Sequence, residues 1–172
     1  MKLHFLLLSL CCALGWLPLS AVSLSAQSDV AMGRRNTARV NANALAASGD
    51  LKSAIGEIEM SLRRKPASAG WHAEKALYLF QLGMVAREEG RKSQAIRLGN
   101  EAMRELILAE KKSPAGDAEM RANIKNLAAT VLENLSGDSE LAQAVRTEAK
   151  KDRYRGDGGR IEDIITLPND EI

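Results

Sequence analysis

Residues 82–95 have the sequence LGMVAREEGRKSQA, which predicts the end of one helix, a tight turn and the start of a second helix. Gly90 stands at the turn, where glycine accepts a left-handed backbone at little cost. Gly83 and Ala95 lie on either side of the turn, and such small residues let two helices approach closely. Because the turn is short, the two helices must run antiparallel.

The same arrangement occurs 41 residues earlier in the chain. Ala42, Gly49 and Ala54 stand there at the internal spacings of Gly83, Gly90 and Ala95. Larger apolar residues follow in both segments and can fill the space between one helix pair and the next. The sequence therefore predicts a repeated helix pair.

The rest of the chain from about 28 to 152 also has a helical composition. Alanine, leucine and charged helix formers dominate, Pro and Gly cluster at breaks, and β-branched residues nowhere alternate over a useful length. Asp or Ser at the helix starts and Gly just past the ends are the expected capping residues. Six helices fit between the breaks, at about 29–47, 51–64, 71–88, 92–111, 117–134 and 139–151.

This spacing resembles the tetratricopeptide repeat family. The family pattern has a small residue in the first helix, a glycine at the turn, an alanine five residues later, an apolar residue four further on and a closing proline. Ala42, Gly49, Ala54, Ile58 and Pro66 match this pattern. The second pair includes the Leu-Gly dipeptide of the pattern, but its offset of 41 exceeds the usual repeat of about 34 residues.

The third pair aligns less well. It places Leu127-Ala128, Gly137 and Ala142 at the pattern positions only when its first helix is lengthened by about two residues. The resemblance, which covers about 30–150, implies an all-α fold in which antiparallel helix pairs stack as a short right-handed solenoid of five to six helices. The alternative is an irregular or four-helix-type bundle in which the repeats are accidental.

The N-terminus has the layout of a secretory signal peptide. Lys2 gives a positive start, residues 5–17 form an uncharged apolar run, and small residues follow up to Ala26. We expect cleavage within 23–26, so the chain divides into a signal peptide at 1–26, a helical repeat domain at 27–152 and a tail at 153–172. An uncleaved N-terminal anchor is the alternative. Beyond the signal, no apolar run is long enough to span a bilayer.

The tail from 153 is glycine- and charge-rich at first, which predicts a flexible segment. The spacing of Ile161, Ile164 and Ile165 further on is compatible with one short amphipathic turn. That turn would dock either on the helical body or on a partner.

The composition argues against chemistry in the mature protein. Signal removal takes both cysteines and His4, which leaves His72 as the one histidine, expected to serve in packing or capping. We find no metal-ligand spacing, no nucleophile with a nearby base and no phosphate-binding loop, so we predict no enzyme and no cofactor. Removing Lys2 lowers the formal charge from +2 to +1, which gives no reason to expect nucleic acid as a partner.

The concave face of the first helix in each pair is the candidate binding site, because proteins of this resemblance bind extended peptides there. We expect apolar anchors and polar residues from the first two pairs, with Lys125 as a further candidate from the third. The predicted partner-binding residues are Asn36, Arg39, Asn43, Phe80, Met84 and Arg87. Some family members hold a terminal carboxylate with a Lys and an Asn at the places of Arg39 and Asn43.

These features favour an exported protein, periplasmic or secreted, that acts as a non-enzymatic interaction or scaffold module. Its partner would be a protein or peptide bound on the concave helical face. The alternative function is a small accessory subunit that docks to a larger envelope complex through residues 161–172. An enzyme of unfamiliar type is a third hypothesis, for which the sequence names no residues.

Overall fold

The computed structural model describes residues 29–165 and 167, with side chains from 37 onward. The predicted signal peptide at 1–26 lies outside the described residues. Within the described part the chain is all-helical, without strands, and its seven α-helices pack against one another. The coarse prediction of an all-α fold is thereby confirmed. The helices are α1 (Asp29–Ala47), α2 (Leu51–Arg64), α3 (Ala69–Glu88), α4 (Lys92–Lys112), α5 (Ala118–Val131), α6 (Ser139–Arg155) and α7 (Ile161–Ile164).

The helix boundaries follow from local capping chemistry. The turns after α1 and α3 pass through Gly49 and Gly90, whose φ angles are +89° and +77°. Asp50 begins α2 by accepting a hydrogen bond from the Ser53 amide at 3.1 Å. Hydrogen bonding from the Ser53 side chain and, second, from this amide lowers the pKa of Asp50. Such side chains satisfy amides that have no partner in the first turn. The predicted bounds of α1 and α2 agree with the structure residue for residue.

Small side chains lie where the helices of a pair meet. Ala42 and Ala54 are fully buried in the first pair, and Gly83 and Ala95 are buried at the same spacings in the second. Ala128 and Ala142 are fully buried in the third. A side chain of this size leaves room for the facing backbone to come close, as the repeated spacing predicts.

Each helix packs mainly on its neighbours in the sequence, and α3 contacts both α2 and α4. Two groups of buried apolar residues result. The first cluster joins α1 and α2 to one side of α3 and comprises Ala42, Leu51, Ala54, Ile58, Trp71 and Tyr78. The main cluster extends from α3 to α7 and includes Leu79, Leu98, Met103, Leu106, Val131, Val145 and Ile161.

A π-helical segment, Leu132–Ser136, continues α5. A π turn contains more residues than an α turn. This segment therefore accommodates part of the extra length that the first helix of the third pair needs to match the repeat pattern. Its Leu135 is buried in a notch between two glycines. A Cβ atom placed on Gly83 would lie 2.6 Å from Leu135 Cδ1, and one on Gly99 would lie 3.0 Å from Leu135 Cβ. The third pair is therefore seated against the second through this leucine.

The segment after 152 is more ordered than the flexible tail that we expected from its composition. Helix α6 continues to Arg155, and α7 follows after a short connection. Ile161 is fully buried and Ile165 nearly so, both within the main cluster. The amphipathic turn predicted from the isoleucine spacing does form, and it docks on the helical body. Burial of these branched side chains outweighs the flexibility that the preceding glycines would otherwise give.

The glycine notch generates a test of this packing. We expect Gly83→Ala to lower the free energy of unfolding by roughly 1–2 kcal/mol, because overpacking against buried Leu135 exceeds the gain in helix propensity. Gly56, in the middle of α2, has no atom within 4 Å of the point where an added Cβ would lie, so Gly56→Ala should raise stability by about 0.5–1 kcal/mol. Urea denaturation of both variants measures the two effects. If both substitutions raised the free energy of unfolding equally, the tight fit of Leu135 against Gly83 would be contradicted.

Candidate functional site

Arg39 of α1 is held against one side of α3. Its guanidinium lies 5.3 Å from the centre of the Trp71 ring, which is within cation–π range. It also forms an ion pair with Glu74, one turn further along α3. The Arg39 side chain nevertheless stays 43% exposed. The residue is thus fixed in position by two contacts while part of it remains open to a ligand.

The pair is only partly solvated, and this changes the acid–base behaviour of Glu74. Burial raises the pKa of Glu74 above its ordinary value of 4.5, while the neighbouring Arg39 charge opposes that shift. Glu74 Oε2 and Arg39 Nε are both buried without a hydrogen-bond partner. Ionised Glu74 therefore carries a desolvation cost that its single partner does not fully offset.

Asn43 lies one turn after Arg39 and makes the next contact between the same two helices. The Tyr78 hydroxyl donates a hydrogen bond of 2.6 Å to Asn43 Oδ1. Tyr78 is buried, whereas Asn43 is exposed. Burial is the main cause that raises the pKa of Tyr78, with the negative charge of Glu74 adding to it. We call these successive contacts, of Arg39 with Trp71 and Glu74 and of Asn43 with Tyr78, the α1–α3 ladder.

The other predicted binding residues lie elsewhere on α3. Phe80 and Met84 are half-buried against the main cluster, and Arg87 Nη1 donates a 2.5 Å hydrogen bond to the carbonyl of Asn134 in the π segment. Phe80 follows Trp71 by two and a half helical turns, so it faces the opposite side of α3. The side chain of Asn36 lies outside the described residues. The structure thus brings Arg39 and Asn43 together, but places Phe80, Met84 and Arg87 apart from them.

Lys125 is not available as a concave-face residue, contrary to expectation. Its side chain is fully buried, and its ammonium group forms ion pairs with Asp152 and, at 3.1 Å, with Glu110. Arg121 Nε contacts the same Asp152 carboxylate at 3.1 Å. Two cations and two anions therefore compensate one another at the junction of α4, α5 and α6. The sequence interpretation failed because a lysine on a helix gives no sign of its partners in other helices.

A second buried polar cluster surrounds His72. Its Nδ1 lies 2.6 Å from Glu105 Oε2, and its Nε2 lies 3.0 Å from the Pro66 carbonyl oxygen. Lys75 contacts Glu105 at 2.9 Å and Glu59 at 3.0 Å. Burial favours the neutral amine of Lys75, but its hydrogen bonds to these two carboxylates outweigh that effect and raise its pKa.

The His72 cluster connects the loop before α3 to α2 and α4, which agrees with a packing role. Among the described residues, no group of three or more His, Cys, Asp or Glu side chains is arranged to hold a metal ion. A shallow open groove lies between α1 and α2, lined by Thr37, Ala38, Asn41, Glu57 and Arg64. None of these residues belongs to the predicted binding set.

Sequence reasoning missed the α3 half of the ladder. Trp71, Glu74 and Tyr78 lie on one side of α3, at intervals of three and four residues. That spacing is visible in the sequence, but only the contacts of α1 reveal that it forms a polar strip.

No protein-family model, curated protein or solved structure matches the chain. None of the helices described, from α1 to α7, is both long and apolar enough to cross a bilayer.

The buried charges predict a large penalty when one of them is removed alone. Lys125→Ala leaves the buried Glu110 carboxylate without its cationic partner and Asp152 with Arg121 alone, and we expect a loss of about 3–5 kcal/mol in the free energy of unfolding. Lys150→Ala, at an exposed position of α6, should change stability by less than about 0.5 kcal/mol. Denaturant titration of the two variants makes the comparison. A small effect of Lys125→Ala would show that the network is hydrated in solution.

The raised pKa of Glu74 predicts a pH dependence of stability with a definite sign. A carboxyl whose folded pKa exceeds its unfolded value binds its proton more tightly in the folded state, so ionisation costs stability as the pH rises. The stability of wild type relative to Glu74→Gln should therefore fall as the pH rises from below 4.5 to neutrality. Thermal denaturation of both proteins across this range tests the sign. If wild type instead gained stability relative to Glu74→Gln as the pH rose, the attraction between Arg39 and ionised Glu74 would outweigh the cost of burying the carboxylate.

Proposed function

We propose that this chain is an exported, non-enzymatic interaction module that binds a protein or peptide partner on the face formed by α1 and α3. We further propose that its helix pairs stack as a short tetratricopeptide-like solenoid, and that the protein acts in a periplasmic or secreted setting. The export proposal rests on the N-terminal pattern of charge, apolar run and small residues.

Packing within the described residues supports the repeat arrangement. The small residues at the matched helical positions of the first two pairs are buried where the helices meet, namely Ala42, Ala54, Gly83 and Ala95. Helix α3 contacts both the helix before it and the helix after it. A regular succession of this kind produces an extended surface on one side of the helices, which repeat proteins use for binding.

The binding proposal rests on the contacts and the exposure of Arg39 and Asn43. Both side chains are held by contacts with α3, yet Asn43 is exposed and Arg39 partly so. Groups that are already ordered lose little conformational entropy when a ligand binds. A guanidinium and an amide one turn apart offer donors to carboxylates and peptide carbonyls. A polar or acidic peptide segment is the partner that suits them.

The positions of Phe80, Met84 and Arg87 refine this proposal. Phe80 and Met84 contribute packing to the main cluster, and Arg87 is engaged with the π segment. A partner centred on the α1–α3 ladder would reach them only by crossing α3. We therefore assign primary recognition to Arg39 and Asn43, and secondary contacts to the other three residues.

The alternative, docking to an envelope complex through residues 161–172, has a cost. Ile161 and Ile165 already pack within the main cluster. A partner that used them would first have to detach them from the body of this chain. The ladder offers a surface that needs no such rearrangement.

Affinity purification of the processed protein from its own extracytoplasmic fraction tests the proposal. We expect Arg39→Ala and Asn43→Ala each to reduce a co-purifying partner at least tenfold, while Arg97→Ala, at an exposed arginine of α4, leaves it unchanged. Circular dichroism of each variant confirms that the fold persists. Phe80→Ala is a poor primary test because it also removes core packing. Undiminished partner recovery with both ladder variants would exclude this surface.

A further inference from the structure

The chain after α6 turns back along that helix and is anchored by backbone groups. We call residues 156–165 the strap. The Gly159 amide donates a 2.7 Å hydrogen bond to Glu148 Oε2, and the Ile161 amide donates one of 2.8 Å to the buried Glu110 Oε2. A hydrogen bond from Lys151 and, to a smaller extent, the Gly159 contact lower the pKa of Glu148.

Apolar contacts complete the docking of the strap. Helix α7 lies against α4 and α6, where Ile161 and Ile165 are buried. Between them, Glu162 lies 3.5 Å from Lys111 at the end of α4. Hydrogen bonding from Arg160 and the charge of Lys111 lower the pKa of Glu162. The strap therefore combines two buried aliphatic side chains with an acidic residue that pairs with Lys111 of α4.

Gly158 allows the strap to pass close to α6. A Cβ atom at this position would collide with the backbone oxygen of Glu148 and would lie 2.9 Å from Asp152 Cγ. A backbone oxygen inside a helix cannot move aside cheaply, so no larger residue fits here while the strap is seated. This glycine gives a way to unseat the strap without touching its anchors.

The body beneath the strap has contacts that do not depend on it. The ion pairs of Lys125 with Asp152 and Glu110, and of Arg121 with Asp152, connect α4, α5 and α6 directly. When the strap leaves, Glu110 and Glu148 gain access to water in place of the two strap amides. A four-residue helix that is joined to the body by two buried side chains, two amide hydrogen bonds and one ion pair can open as a local unit before global unfolding, because the body has its own charge compensation.

We propose that the strap is a displaceable segment that occupies a docking cleft between α4 and α6, and that this cleft accepts a segment of a partner protein with the same chemistry. That chemistry is two branched aliphatic side chains four residues apart, a free backbone N–H at the first of them and an acidic residue next to it. The cleft is a second site, separate from the α1–α3 ladder, and this proposal does not rest on the function assigned to the ladder.

Native-state hydrogen exchange of the full-length wild-type chain tests whether the strap opens on its own. We expect the amides of Ile161 and Ile165 to exchange at least a hundredfold faster than the slowest amides of α4 and α6. Exchange of the strap amides only at the rate of global unfolding would overturn the proposal, because the strap would then be an inseparable part of the core.

Binding in trans tests whether the cleft accepts a separate segment. The probe is a fluorescent peptide with the sequence of residues 156–167, GDGGRIEDIITL. We expect it to bind full-length Gly158→Ala at least tenfold more tightly than the matched full-length control Gly56→Ala, whose strap is unchanged. The same peptide carrying Ile161→Asp should not bind either protein.

Two results of this experiment would count against the proposal. Failure of the peptide to bind Gly158→Ala while α4–α6 keep their exchange protection would show that the vacated cleft is not a docking site. Loss of protection throughout α4–α6 in Gly158→Ala would show that the strap cannot leave a folded body.

Discussion

Close approach of helices through alanine and glycine is the constraint on which this structure depends. Aromatic residues make up only 3% of the chain, so rings cannot fill wide gaps between helices, and the backbones themselves must come together. Ala42 with Ala54, and Gly83 with Ala95, make this possible in two successive pairs. A core of small side chains gains less from hydrophobic burial per residue and more from close fit. The positions of the few large residues, such as Leu135, then follow from where the glycines leave room.

Ion pairs and other polar contacts join the helices at three places beside the apolar clusters. The first cluster ends at the α1–α3 ladder, the second pair is joined to its loop by the His72 cluster, and the last pair is joined by Lys125 and its partners. Buried ion pairs add little net stability, because desolvation offsets the attraction. They do penalise any arrangement that separates the partners. Together with small residues that pack in many ways, such pairs select one stacking of the helices over others.

How well the sequence predicts a feature depends on how far apart in the chain the interacting residues lie. Caps and turn glycines act within a few residues, so α1 and α2 begin and end where the pattern predicts. Lys125 and the segment after 152 depend on residues far away in the chain, and for both the prediction was wrong or incomplete. The ladder lies between these cases. Its α1 residues were identified from a repeat resemblance, whereas Trp71, Glu74 and Tyr78 required knowledge of which side of α3 faces α1.

The leucine that fills the glycine notch also lies inside an N-glycosylation sequence. Asn134, Leu135 and Ser136 form the Asn-x-Ser pattern of an N-glycan acceptor. In the folded chain the Asn134 side-chain nitrogen donates to the Thr130 carbonyl at 2.9 Å, and Leu135 is enclosed by Gly83 and Gly99. Folding therefore withdraws this acceptor. In a secretory pathway that attaches sugars to asparagine, the relative timing of folding and glycosylation would therefore decide whether Asn134 carries a glycan.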